Sequence, residues 1–168
     1  MSQSMIWTRV DYEKDGKQNG WLQLPHSVTR SAYGNVSIPL TVIKNGKGPT
    51  AFLMAGNHGD EYEGQVALCK LIQSLEPHEI QGRVIIIPAI NLPAAMAGVR
   101  VSPIDQGNLN RSFPGDPNGL LVTFFHHGSA QSQCGLAVGE AGAEHIGGAL
   151  GTGGDVHARI GDQVDHAA

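Results

Sequence analysis

The chain has 168 residues, 40% of them hydrophobic, and a formal net charge of −4. That length supports one domain with a buried core and leaves little for a second. The negative balance supplies no basic field, so neither nucleic acid nor an anionic membrane is expected as a partner.

The longest apolar runs, such as VIIIPAI (84–90), are too short to span a bilayer. The N-terminus shows no charged-then-apolar leader, and a cytoplasmic protein is the expectation. Cys69 and Cys134 form neither a disulfide framework nor a CxxC pair. Cys69, inside a helical pattern, is expected to be a small buried side chain.

In chain order, GWLQLPHSVTRSAYGNVSIPLTVIKNGKG (20–48) alternates apolar and polar residues between Gly, Pro and Asn. This predicts strands and turns, with VSIPLTVI (36–43) a strand and Asn45-Gly46 a turn. TAFLMAG (50–56) is continuously apolar, as in a strand buried on both faces. GQVALCKLIQSL (64–75) places Val66, Leu68, Leu71, Ile72 and Leu75 near helical spacing, and Pro77 stops the helix. RVIIIPAI (83–90) predicts a second buried strand. Strand, helix and strand with short connections make a βαβ unit with parallel strands. Sites in open α/β sheets gather at the carboxyl ends of strands. Both unusual segments begin there: GNHGDEYEG (56–64) and NLPAAMAGVRVSPIDQGNLNRSFPG (91–115).

Residues 120–168 differ in composition. They hold 10 of the 23 glycines and 5 of the 8 histidines, but only Arg159 among the 11 Lys and Arg. LLVTFFHHG (120–128) could be a strand ending in His126 and His127. The glycines beyond it argue against helix, and a poorly packed tail is expected.

Two constellations carry chemistry. His58 and Glu61, three apart on a loop entering a helix, can converge on one metal ion, and Asn57 and Gly59 would let the backbone bend around it. The alternative is a solvated loop pair. Arg100, Asp105, Asn108, Asn110 and Arg111 sit in one loop punctuated by Pro and Gly, with FPG (113–115) as a closing turn. An arginine fork beside asparagine suits a carboxylate-bearing small molecule. A salt-bridged surface loop is the alternative there.

GNHGDEYEG followed by GVRVSPIDQGNLNRSFPG, and preceded by IPLTVIKNGKGPTAFLMAG, resembles the succinylglutamate desuccinylase/aspartoacylase family. Within it, the likeness is greatest to the N-acetyl-diaminobutyrate deacetylase branch. The resemblance runs over roughly residues 5 to 119. It implies an α/β fold: a zinc-carboxypeptidase-like mixed sheet with flanking helices, incomplete and preceded by a short β segment. It implies Zn2+ as cofactor, with His58 and Glu61 as the first two ligands. Asn110 and Arg111 match the pair that binds the substrate carboxylate. Arg100 belongs to the same loop, and Asn108 stands where many relatives have aspartate. The implied reaction is amide hydrolysis of a small N-acyl amino acid, with the metal polarising the acyl carbonyl and activating water.

The third zinc ligand and the catalytic glutamate of the family have no recognisable counterpart. FFHHGS (124–129) is a weak echo, with His127 a candidate ahead of His126. His145, His157 and His166 are expected to be solvated, and Glu140 and Glu144 carry no assignable role as base. Residues 1–119 therefore read as the N-terminal part of a deacylase catalytic domain. Residues 120–168 read as an atypical Gly- and His-rich tail of the kind a reading-frame shift would yield; a divergent short protein is the alternative. Two further readings stand beside the deacylase: a catalytically inactive remnant with half a metal site, and a metallocarboxypeptidase acting on peptides.

Overall fold

The computed structural model of the chain describes residues 6–112. Four strands, β1 (Gly16–Pro25), β2 (Asn35–Asn45), β3 (Thr50–Met54) and β4 (Gly82–Ile87), form one sheet in the order β1-β2-β4-β3. β1 and β2 make a long antiparallel hairpin, running from Gly16 opposite Lys44 to Pro25 opposite Asn35. β2 also pairs antiparallel with β4, and β3 pairs parallel with β4 from Thr50 opposite Arg83 to Met54 opposite Ile87. The sheet is thus mixed, as expected. The predicted βαβ unit is β3, the helix α1 (Tyr62–Ser74) and β4. The N-terminal β segment is joined to the main sheet through β2.

Alternation along the central strands feeds two cores. Val42, Phe52, Met54, Ile85 and Ile87 point to one face, packed with Leu24, Ile38, Leu40, Ile90 and Leu109. Ile43, Leu53 and Ile86 point to the other, where Leu68 of α1 covers them with Leu71, Ile72 and Leu75. Full burial of each such side chain contributes about 1.5–3 kcal/mol relative to exposure. This double burial is why β3 and β4 read as unbroken apolar runs.

Two expectations about α1 are corrected. Val66 is 50% exposed, and Cys69 is an exposed free thiol. The buried stripe is 68, 71, 72 and 75, with steps of three, one and three that keep to one helical face. Val66 lies two residues before Leu68, about 200° around the helix, and Cys69 lies about 100° past it. The helix stops at Ser74, before a short turn at Pro77–Glu79.

The N-terminal segment is clamped to the sheet by Arg83. Its guanidinium donates to the Tyr12 carbonyl at 3.0 Å and to Thr50 Oγ1 at 3.2 Å, and pairs with Glu13 at 2.6 Å. Burial raises the Tyr12 hydroxyl above its ordinary 10.0, outweighing the lowering effect of the Arg83 charge. The segment 113–115, His126, His127, the tail histidines, Glu140 and Glu144 all lie outside the described residues.

Candidate metal and carboxylate site

β3 and β4 end side by side, and the loops that leave them meet. After Met54 the chain turns at Gly56, whose φ of +73° is a left-handed conformation that strains any residue with a Cβ. Backbone bonds hold this turn against the end of β4. Ala55 donates to the Ile87 carbonyl at 3.0 Å, Ile90 to Ala55 at 2.9 Å, and Asn91 to Gly56 at 3.1 Å.

Asn91, which was not singled out from the sequence, supports both loops. It is 2% exposed, and its side-chain oxygen accepts from the Ala94 N–H, capping α2 (Leu92–Ala97). Its amide nitrogen donates to the Asn57 carbonyl at 3.2 Å. A readable signal existed: Asn one residue before a Leu-Pro pair is a helix N-cap pattern. Gln65 on α1 adds a bond to the Glu61 carbonyl at 3.0 Å. Gly59 serves a purpose other than the bend expected of it. A Cβ at this position would overlap the Ala94 carbonyl group and the Ala95 nitrogen, so glycine lets the loop lie against α2 backbone.

The pinned loop buries His58 to 4% exposure. Its Nδ1 is 3.0 Å from Glu61 Oε1, and its Nε2 is 3.1 Å from Asn108 Oδ1. Arg100 donates to the same Glu61 Oε1 at 2.7 Å. Asn108 also caps the short turn Leu109–Arg111, its Oδ1 accepting from the Asn110 N–H at 3.1 Å. Leu109, fully buried, anchors that turn in the core. Four of the seven residues in the two constellations, His58, Glu61, Arg100 and Asn108, are therefore one hydrogen-bonded cluster. Asn110 joins through its backbone, and Arg111 ends the same turn with its side chain exposed. Asp105 turns the loop by accepting from the Gly107 N–H at 3.0 Å. Asn57 Oδ1 is a buried side-chain oxygen with no hydrogen-bond partner among the described residues.

The same segments carry the likeness to known proteins. Residues 47–147 match the succinylglutamate desuccinylase/aspartoacylase catalytic domain. This chain belongs to the succinylglutamate desuccinylase/aspartoacylase family. It is similar to the N-alpha-acetyl-L-2,4-diaminobutyric acid deacetylase of Halomonas elongata, 60% identical over 119 residues, which are 71% of this chain and 35% of that relative. Among solved structures, the product-bound ectoine utilization protein of Ruegeria pomeroyi is 50% identical with a TM-score of 0.76, covering 79% of this chain and 40% of that one. A succinylglutamate desuccinylase from a Silicibacter species is 45% identical with a TM-score of 0.75, over 79% of this chain and 40% of its own. The chain thus spans between a third and two fifths of the length of these family members.

Zinc, which the family resemblance implies, can be tested against the donors present. Zinc bonds to imidazole nitrogen and carboxylate oxygen at about 2.0–2.2 Å, which sets two tetrahedral ligand atoms roughly 3.3 Å apart. His58 Nδ1 and Glu61 Oε1, 3.0 Å apart, are close to that spacing. An imidazole nitrogen and a carboxylate oxygen are also the donor types zinc selects. No group of three His, Cys, Asp or Glu suited to a metal occurs among the described residues. The described site therefore fits one edge of a zinc coordination sphere.

Proposed function

We propose that residues 56–112 are the metal-holding and carboxylate-recognising part of a zinc-dependent hydrolase that removes the acyl group from a small N-acyl amino acid. His58 and Glu61 would hold the zinc. Asn110 and Arg111 would bind the substrate carboxylate, and Arg100 would line the same pocket. Asn108, whose oxygen is engaged with His58, has only its NH2 group left for a ligand. The observation that carries this reading is the meeting of the two motifs: residues 50 positions apart, His58 and Asn108, are joined by a direct hydrogen bond at the ends of parallel strands. An N-acetylated diamino acid is the substrate class suggested by the Halomonas relative.

Within this reading, each group has a physical task. An arginine fork donates two parallel N–H bonds to a carboxylate, fixing the orientation of the amide beyond it. Arg100 balances the charge of Glu61, whose carboxylate is only partly exposed. Zinc, when bound, supplies Lewis acidity toward the acyl carbonyl and the attacking water. The described residues provide no assigned general base.

The half-site reading stands beside it: no group of three metal-binding side chains occurs among the described residues. A single assay separates the two. The purified chain, supplied with zinc, is offered N-acetyl-diaminobutyrate, and free amine release and ligand binding are both followed. Release that falls at least tenfold in Arg111→Ala supports the hydrolase. Arg111-dependent binding without release supports the half site. Release unaffected by Arg111→Ala would overturn the carboxylate assignment.

A further inference from the structure

We infer that the outer edge of β3 is a pairing surface for a second copy of this chain, the two β3 strands running antiparallel about a two-fold axis. Among the described residues β3 is an outer strand, paired on one side only, with β4. The ladder fixes which of its backbone groups face β4. Arg83 donates to the Pro49 carbonyl at 2.9 Å, and Ala55 to the Ile87 carbonyl at 3.0 Å. In a parallel ladder one residue turns its N–H and C=O to the same neighbour, and the next turns both away. Ala51 and Leu53 therefore bond to β4, while Thr50, Phe52 and Met54 present their backbone groups outward. Among the described residues, none of these outward groups has a hydrogen-bond partner.

Sheet edges are usually protected from such pairing by charge, proline, a bulge or a covering segment. β1, the other outer strand, carries Lys17, ends in Pro25 and is bridged by Trp7, which exchanges bonds with Gln23 at 3.1 and 2.8 Å. β3, TAFLM, has no charge and no proline, and Phe52, Leu53 and Met54 are at most 9% exposed. It has an interior strand's composition at an edge. A second copy satisfies this edge completely. The outward residues are two apart, so a two-fold axis at Phe52 sets Thr50 opposite the partner's Met54 and Phe52 opposite the partner's Phe52. Each facing pair exchanges both bonds. The contact is isologous and closes at two chains. No charged residue lies between 49 and 55 to repel a copy of itself. α1 leaves the approach open. Its Cys69, Ile72 and Gln73 line a cleft with Asn19, Trp21 and Thr41, on the β1–β2 side. Ala67 and Ser74, about 160° and 140° around the helix from Cys69, place small exposed side chains on the opposite flank, toward β3. A ladder this short buries less than a standard interface, so association at micromolar and higher concentration is expected.

Sedimentation velocity, from low micromolar to several hundred micromolar chain, reads the association state, and amide hydrogen exchange by NMR reads the edge. The expected result is a monomer that becomes a dimer. On dimerisation the Thr50, Phe52 and Met54 amides should exchange at least about tenfold more slowly, while Ala51 and Leu53 are protected at every concentration. Thr50→Pro removes an outward donor that the β4 ladder does not use, and should stay monomeric. Thr50→Val loses the bond from Arg83 to the Thr50 hydroxyl but keeps the N–H, and should dimerise like the parent. A parent that stays monomeric, assemblies larger than two, or undiminished dimerisation in Thr50→Pro would overturn the inference. So would protection of the Thr50, Phe52 and Met54 amides already in the monomer, which would mean that another strand of the same chain occupies the edge. Should Thr50→Pro fail to fold, the parent's exchange pattern decides alone.

Discussion

Gly59→Ala isolates the packing that places His58. A Cβ at residue 59 would enter space held by the Ala94 carbonyl and the Ala95 nitrogen, both backbone atoms of α2. Neither atom can rotate away, so the loop or α2 must move as a unit. Overpacking of a filled site costs about 1–3 kcal/mol, and an obstacle made of backbone belongs at the upper end, about 3 kcal/mol. For a domain near 100 residues each kcal/mol lowers the melting temperature by about 5 °C, so a fall of roughly 15 °C is expected. The displacement also carries His58 away from Asn108, and zinc affinity should fall with stability. Circular dichroism melting of the metal-free chain reads the first effect and chelator competition the second. Asp60→Ala is the control, because Asp60 is exposed and its replacement should stay within about 0.5 kcal/mol. If Gly59→Ala melted as close to the parent as Asp60→Ala does, the close approach of loop and helix would be refuted.

Other consequences follow from the core and from charge. Ile86 is fully buried against Ile43 and Leu53, so Ile86→Ala should cost about 2–5 kcal/mol in urea unfolding; a loss below 1 kcal/mol would contradict the double-faced sheet. Tyr12 holds its proton above 10.0 in the folded chain because it is buried. Stability from this group is intact below that ordinary value and is lost as pH rises through the higher folded value. Tyr12 should therefore ionise above its ordinary 10.0 in an alkaline absorbance titration. Tyr12→Phe should remove amplitude above 10.0, and amplitude lost at or below 10.0 instead would show that the hydroxyl is not buried.

Much of the fold was legible because burial leaves a plain trace in sequence. The runs AFLMA (51–55) and VIIIPAI (84–90) are apolar throughout since side chains on both faces of β3 and β4 are covered. The βαβ connection then placed both motifs at one end of the sheet. What escaped the reading depended on direction in space. Val66 and Cys69 are apolar or small residues within a helix, and only the angle around its axis sends them outward. Gly59 looked like a bend and is a close contact, which no local pattern encodes. Asn108 lay in a loop that suggested a substrate carboxylate, and its bond to a residue 50 positions earlier emerges only when the strands are assembled. Asn91 opens the segment marked as unusual at the end of β4, but its capping role was not among the readings made of that segment.

The central claim is that His58 and Glu61 hold one zinc between them. Its most direct test is zinc titration of the purified chain, after chelation and dialysis, beside His58→Ala and Glu61→Gln. The account predicts one saturable site per parent chain that disappears in His58→Ala and weakens severely in Glu61→Gln. A parent that binds no zinc, or a His58→Ala chain that still binds one equivalent with parental affinity, would contradict it.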